Sequence, residues 1–495
     1  MKKRKCTNLI GYFFIGVVLL YVLLLIPDKE DSTITSTNAT PFYWKKDSVW
    51  LALENNYASL KKMDSATKAL HLHKSFEKVS KSFSLFKNST STFNAALIDT
   101  LVFDFFSLSS AVAVNTFYTD SLLQLYSAIR NEIKDQSVGW DYNNPNVEKS
   151  LYTSLYGLRT AVEEVLLQSN EPNFNAILPG KWVASSTPFS NINGIQIHSG
   201  DILVSRGGAE VSALISRGND FPGNFSHIAL LHVDATTKAP QFIEAHIEKG
   251  VALATLEQYL SDTKLRFMVL RLRSNLNNLK RDSLLPHRAA MYALNKVSQR
   301  HIPYDFAMNY SDTSAMFCSE VASNAYAHFG VHLWQNTSTL SSTGIQNWLQ
   351  SFGVKNFTTQ MPSDLEYDSQ LSIVAEWYNT EKLFQDHLDN ALMDVLLEKA
   401  NSGLVIPHSI VKLPIARIIK GYSVLLNWFG REGIIPEGMS ATQALRNQSF
   451  VQMFAELKLE TNKRIAEFIS LHNYRPPYWQ LISLAKKAST QIHFE

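Results

Sequence analysis

Cysteine is almost missing from this chain: 495 residues contain two, Cys6 and Cys318. At most one disulfide is possible, and the topology argued below removes even that. A charge bias is also missing. With 46 basic and 44 acidic residues and a net charge of +2, nothing marks the chain as a nucleic-acid binder, and no nucleic-acid partner is expected. Glycine and proline are sparse from about Val49 to residue 178, which removes turn signals there and leaves helical periodicity as the dominant one.

The composition is otherwise that of an ordinary globular protein, 45% hydrophobic and 18% charged, with length for two or three domains. The N-terminus is more specific. "MKKRKCTN" leads into "LIGYFFIGVVLLYVLLLI", an uncharged run from Leu9 to Ile26 that is just long enough to span a bilayer. No small-x-small cleavage site follows, so an uncleaved anchor is expected over residues 1–27. Lys2, Lys3, Arg4 and Lys5 precede the span, and Asp28, Glu30 and Asp31 follow it. The positive-inside rule then keeps the N-terminus cytoplasmic and puts the bulk of the chain in the periplasm or outside the cell. Cys6 and Cys318 end up on opposite sides of the membrane and cannot pair. A lone thiol in an exported domain is buried, paired between molecules or kept for chemistry.

A polar linker over 28–48 leads to a helical region over 49–178, with apolar residues at three- and four-residue spacing in Leu97 to Phe106, Ser121 to Ile133 and Leu151 to Leu167. Its plainest reading is a scaffold or spacer. His71 and His73 in "HLHK" stand two apart, so on a helix they diverge, and no third metal ligand is evident. From 179 to 378 the character changes. "DILVS", "SHIALLHV", "QFIEAHI" and "RFMVLRLR" read as strands, and Thr255 with Gln258 reads as a capping box opening a helix. The tail over 379–495 is helical again. Strands confined to one segment between helical regions predict an α+β class.

Chemistry is expected in that segment. "FCSEVASNAYAHFG" puts Cys318 at the head of a helix, where Asp312, Thr313 or Ser314 is placed to cap its start. A helix N-terminus and a neighbouring imidazolium bring thiol pKa values down to roughly 3.5–7.5. The plain alternative is an inert core cysteine. A base is available at the entrance of a strand in "GNFSHIALLHV", at His227. On the next strand, period-two alternation puts Phe242, Glu244 and His246 on one face, so Glu244 or His246 is within reach of His227 across the ladder. Such a third group would fix the imidazole tautomer.

Taken together, "GDILV" from Gly200, "SHIAL" from Ser226, "IEA" from Ile243 with Gly250-Val251 after it, "PYDFAM" from Pro303, "FCSEVASNAY" from Phe317 and "MPSDLEYDSQL" from Met361 resemble the permuted papain-like amidases, the YiiX-like branch of the NlpC-type cysteine hydrolases. The resemblance covers roughly 195–378. It implies an antiparallel sheet in which the histidine precedes the cysteine, with Cys318 as nucleophile, His227 as base and Glu244 as the orienting residue. Supporting roles follow for Tyr304, in the loop before the nucleophile, and His246. Asp201 reads as structural. Glu320, two residues after Cys318, points away from the sulfur and is expected to bind loop backbone. The oxyanion would be held by backbone N–H groups at the start of the Cys318 helix.

No metal and no organic cofactor is expected. The function implied is an extracytoplasmic cysteine hydrolase that cleaves an amide or ester of a cell-envelope peptide or lipid through a thioester. The alternatives are a thiol-dependent lipid acyltransferase and a catalytically silent papain-like module that binds envelope ligands.

Overall fold

The computed structural model describes residues 15–26, 39–89, 92–169 and 176–492. Its strands are β1 (Ile177–Pro179), β2 (Phe189–Ile192), β3 (Ile195–His198), β4 (Ile202–Gly207), β5 (His227–Val233), β6 (Pro240–His246), β7 (Gly250–Thr255), β8 (Lys264–Leu272), β9 (Ser338–Thr339), β10 (Thr358–Thr359) and β11 (Leu371–Tyr378). Seven form one antiparallel sheet in the order β1-β11-β8-β4-β5-β6-β7. The α+β reading is therefore correct.

Period-two alternation divides the sheet's apolar residues between two cores. Ile202, Val204, Ile228, Leu230, Ile243 and Met268 face the helices Leu285–Gln299 and Cys318–Ala327. Leu203, Ala229, Leu231, Phe242, Phe267 and Val269 face the opposite side, where Tyr259 and the β2–β3 hairpin cover them. Each large aliphatic or aromatic side chain buried this way contributes roughly 1.5–3 kcal/mol of transfer free energy. Both faces are closed, so a one-residue register slip would cost many such terms. The capping box stands as expected: Gln258 N–H donates to Thr255 Oγ1 at 3.2 Å, and Thr255 N–H donates to Gln258 Oε1 at 2.8 Å.

Helices fill the segment before the sheet. Ala95–Val114 is long and apolar enough to cross a membrane, the single such helix among the described residues. Its Ile98, Leu101, Phe105, Leu108 and Val112 are fully buried in the helical core, so packing accounts for its hydropathy. The expected anchor at 9–26 lies partly outside the described residues. Its part over 15–23 is helical with exposed apolar side chains.

Buried ion pairs join the helical regions to the sheet. Arg266 on β8 meets Glu163 at 2.5 Å and Asp386 at 2.6 Å, and His387 meets Glu163 at 2.7 Å. Arg130 meets Glu376 on β11 at 2.8 Å, and Arg159 pairs with Glu366. Buried charge is tolerated when each group keeps its partner. These pairs tie helices from both flanking regions to the sheet.

Candidate active site

The Cys318–Ala327 helix begins at the cysteine, with Phe317 as the cap residue. The sequence expectation of a cap at Asp312, Thr313 or Ser314 is corrected: the chain is still in a loop there, where Asp312 accepts the Ser314 N–H at 2.9 Å. The loose terminal amide is instead satisfied from inside the helix, since Phe317 N–H donates to Glu320 Oε2 at 2.9 Å. Glu320 is thus turned toward loop backbone, as its position relative to the sulfur requires. Burial pushes its carboxyl up to about 8, and the Phe317 hydrogen bond offsets part of that rise.

Val321, Ala322 and Ala325 seat this helix in the core against β5 and β6. The helix start lies at the end of the sheet where β5 begins. His227 is the first residue of β5, fixed by the ladder behind it and open in front. Glu244 pairs with Ala229 across the ladder, on the face His227 shares by parity. The result is a chain of contacts. Glu244 Oε2 lies 2.7 Å from His227 Nε2, and Glu244 Oε1 lies 3.0 Å from His246 Nε2. With Nε2 engaged, the rest of the ring is turned to the cleft that Cys318 also lines, and the thiol is one of the groups that favour its charged form.

The electrostatics follow from these contacts. Burial disfavours the imidazolium of His227, but hydrogen bonds to Cys318 and Glu244 outweigh it and push the ring up to about 9. Burial likewise opposes ionisation of Glu244, yet bonds to His227 and His246 hold its carboxyl well below the usual range. A buried carboxylate with two imidazole partners stabilises positive charge on the ring that touches the thiol.

A cleft of about 580 Å³ opens on this cluster, with Cys318, His227, His246, Tyr304 and Ser226 in its lining. Tyr304 is held there by the loop before the helix: Met316 N–H donates to the Pro303 carbonyl at 2.9 Å, and Val251 N–H to the Ile302 carbonyl at 2.9 Å. Asp201 lies outside the cleft. It receives Arg271 through two bonds of 2.7 and 2.8 Å and the His198 N–H at 2.7 Å, contacts that tie the turn before β4 to β8. Sequence reading did not anticipate Lys382 and Gln385, which line the cleft from the start of the C-terminal helical region. No local pattern marks them, because their approach is purely tertiary. Gly207 and Gly208 also form part of the rim, and the paired glycines of "SRGGAE" are a signal that could have found them.

His227, Glu244 and His246 have ligand atoms within 4.8 Å of one another, a donor set that a zinc-like ion would accept. The three side chains already satisfy one another by hydrogen bonds, and an ion would have to displace those bonds. A larger cavity, about 750 Å³, lies among the helices, lined by Trp44, Trp50, Tyr152 and Trp479. No cysteine or histidine lines it, whereas Cys318, His227 and His246 line the smaller cleft.

Among solved structures, the metalloprotein yiiX from Escherichia coli O157:H7 aligns at 20% identity and a TM-score of 0.29, covering 36% of this chain and 97% of that one. A comparison with curated proteins finds no match. Residues 196–375, the segment bearing Cys318, His227 and Glu244, match the model of the family described as permuted papain-like amidase enzyme, YaeF/YiiX, C92 family.

Proposed function

We propose that this chain is a membrane-anchored cysteine hydrolase acting outside the cytoplasm on an amide or ester of a cell-envelope peptide or lipid. The observation that carries the reading is the His227 ring, 2.7 Å from buried Glu244 and lining the same cleft as Cys318 at the head of its helix. The thiol proton rests on the His227 ring as a thiolate–imidazolium pair, and the thiolate sulfur attacks the substrate carbonyl carbon. The N–H groups of Cys318 and Ser319 lie in the first helical turn, which has no intrahelical acceptors for them, and in this reading they are the donors for the developing oxyanion. The imidazolium then protonates the leaving amine or alcohol, and a thioester remains on Cys318. His227 next draws a proton from water, which attacks the thioester and releases the acid. Resolution of the thioester by an alcohol or amine would make the same site an acyltransferase.

Intact-mass spectrometry after incubation with envelope lipid and peptide fractions tests the reading. A covalent acyl adduct is expected on the His227→Ala variant and on the wild type at short times, and none on Cys318→Ala. Hydrolysis that persists in Cys318→Ala would sink the proposal.

A further inference from the structure

The Leu413–Trp428 helix presents its apolar side outward. Val411, Ile415, Ile418, Tyr422, Leu425 and Phe429 recur at alternating four- and three-residue steps, which is one helix face, and each is between 45% and 75% exposed. Trp428 beside them is 80% exposed. The inward side is meagre by contrast: Leu413 and Ala416 meet Ala441 and Leu445 of the Ala441–His472 helix in a small cluster. Between Ile410 and Trp428 the charged residues are Lys412, Arg417 and Lys420, with no acid. A basic helix with an aromatic-rich apolar face is the composition of a segment that lies in a membrane interface.

The N-terminal segment says what covers this face. The Tyr21 hydroxyl donates to the Val411 carbonyl at 3.3 Å, and Arg417 Nη1 donates to the Leu24 carbonyl at 2.8 Å. The C-terminal end of the apolar run 9–26 therefore rests on the start of this helix. A bilayer that receives the run would meet the exposed stripe along about 27 Å of helix.

We propose that the Leu413–Trp428 helix is a second membrane contact, lying in the headgroup region of the bilayer with its apolar stripe in the acyl boundary. The proposal rests on the anchor reading given above. It also orients the catalytic cleft. Downstream of the helix, Gly438 packs against the Phe306 ring and Glu437 Oε2 meets His301 Nε2 at 2.7 Å, so the segment is joined to the loop that carries Tyr304 at the cleft. Docking would hold the cleft rim at the membrane surface, whereas a single flexible tether would leave it free.

The test uses the full-length chain in vesicles of phosphatidylethanolamine and phosphatidylglycerol, with Cys6→Ala and Cys318→Ala as background. Nitroxide labels are placed one at a time at Ile418→Cys, Val18→Cys and Leu471→Cys. Leu471 is exposed near the far end of the Ala441–His472 helix, about 39 Å along it from Leu445. Power saturation should give oxygen-to-nickel accessibility ratios several-fold higher at 418 and 18 than at 471. A lipid-like ratio at 18 with a ratio at 418 equal to that at 471 overturns the docking and leaves the anchor standing. Aqueous ratios at both 18 and 418 overturn both. Shielding of 418 from oxygen and nickel alike, with spin–spin broadening between molecules, assigns the face to a second copy and overturns lipid docking.

Discussion

In the proposed mechanism His227 stands between the Cys318 thiol, whose proton it holds, and the Glu244 carboxylate, which stabilises the charged ring. With the ring pushed up to about 9, the imidazolium needed to protonate the leaving group is available at neutral pH and is lost above that value. Turnover is expected to fall on an alkaline limb near pH 9. Glu244→Gln removes the charge that supports the imidazolium, so that limb should move to lower pH, with a milder loss of rate than His227→Ala. For His227→Ala a fall of about 10²–10⁴-fold is expected, and for Cys318→Ser no turnover at all; initial rates across pH check all three. The His227, Glu244 and His246 donor set supplies a separate test. Chelator treatment should leave the rate unchanged, while added Zn²⁺ should inhibit by capturing the ring that serves as base. Loss of activity on chelation, restored by zinc, would show that the cluster works as a metal centre.

Individual elements place those residues. The Cys318 helix contributes its first residue and the β5 strand its first residue, so both side chains sit where ordered backbone meets open cleft. Gly250 at the start of β7 lets the loop that carries Tyr304 pack closely on the sheet. Its φ is +71°, and an added Cβ would come within 2.2 Å of the Ile302 carbonyl oxygen, which must stay close to accept the Val251 N–H. Gly250→Ala should therefore displace the loop that carries Tyr304. A cost of about 1–3 kcal/mol for the left-handed backbone, visible as a lower melting temperature, is expected together with a reduced kcat. An unchanged kcat in a folded variant would mean that the loop does not shape the cleft.

At the scale of the whole molecule, buried charges on β8 and β11 hold the sheet to helices from both ends of the chain. Removing one partner strands the others without water, so Glu163→Ala, which leaves Arg266 and His387 underpaired, should cost about 3–5 kcal/mol. Denaturant titration in detergent measures it. The pH dependence has a definite sign. Burial alone would depress His387, but its bonds to Glu163 and Glu164 push it up to about 9. Its contribution is complete below the ordinary histidine value of 6.5 and is lost as pH rises through 9. Glu163 is held well below the usual carboxylate range by Arg266 and His387 despite its burial, so its contribution is present above the ordinary carboxylate value and is lost in acid. The melting temperature should thus decline on both sides of a mildly acidic optimum, and His387→Gln should flatten the alkaline side.

The sequence by itself determined what repeats over short distances. Alternation along "SHIALLHV" and "QFIEAHI" specified two adjacent strands and the face carrying Glu244 and His246, Thr255 with Gln258 specified a capped helix, and Cys318 at the head of an apolar-periodic run specified a helix start. The capping residue is misread, because Asp312, Thr313 and Ser314 have capping chemistry that serves equally well in a loop turn. Only the tertiary structure decided that Lys382 and Gln385 line the cleft, that Arg266 bonds Glu163 and Asp386 at once, and that the stripe from Val411 to Phe429 faces outward instead of into a core. Helical periodicity shows that such a face exists; which face finds a partner depends on where distant segments pack, and no local pattern encodes that.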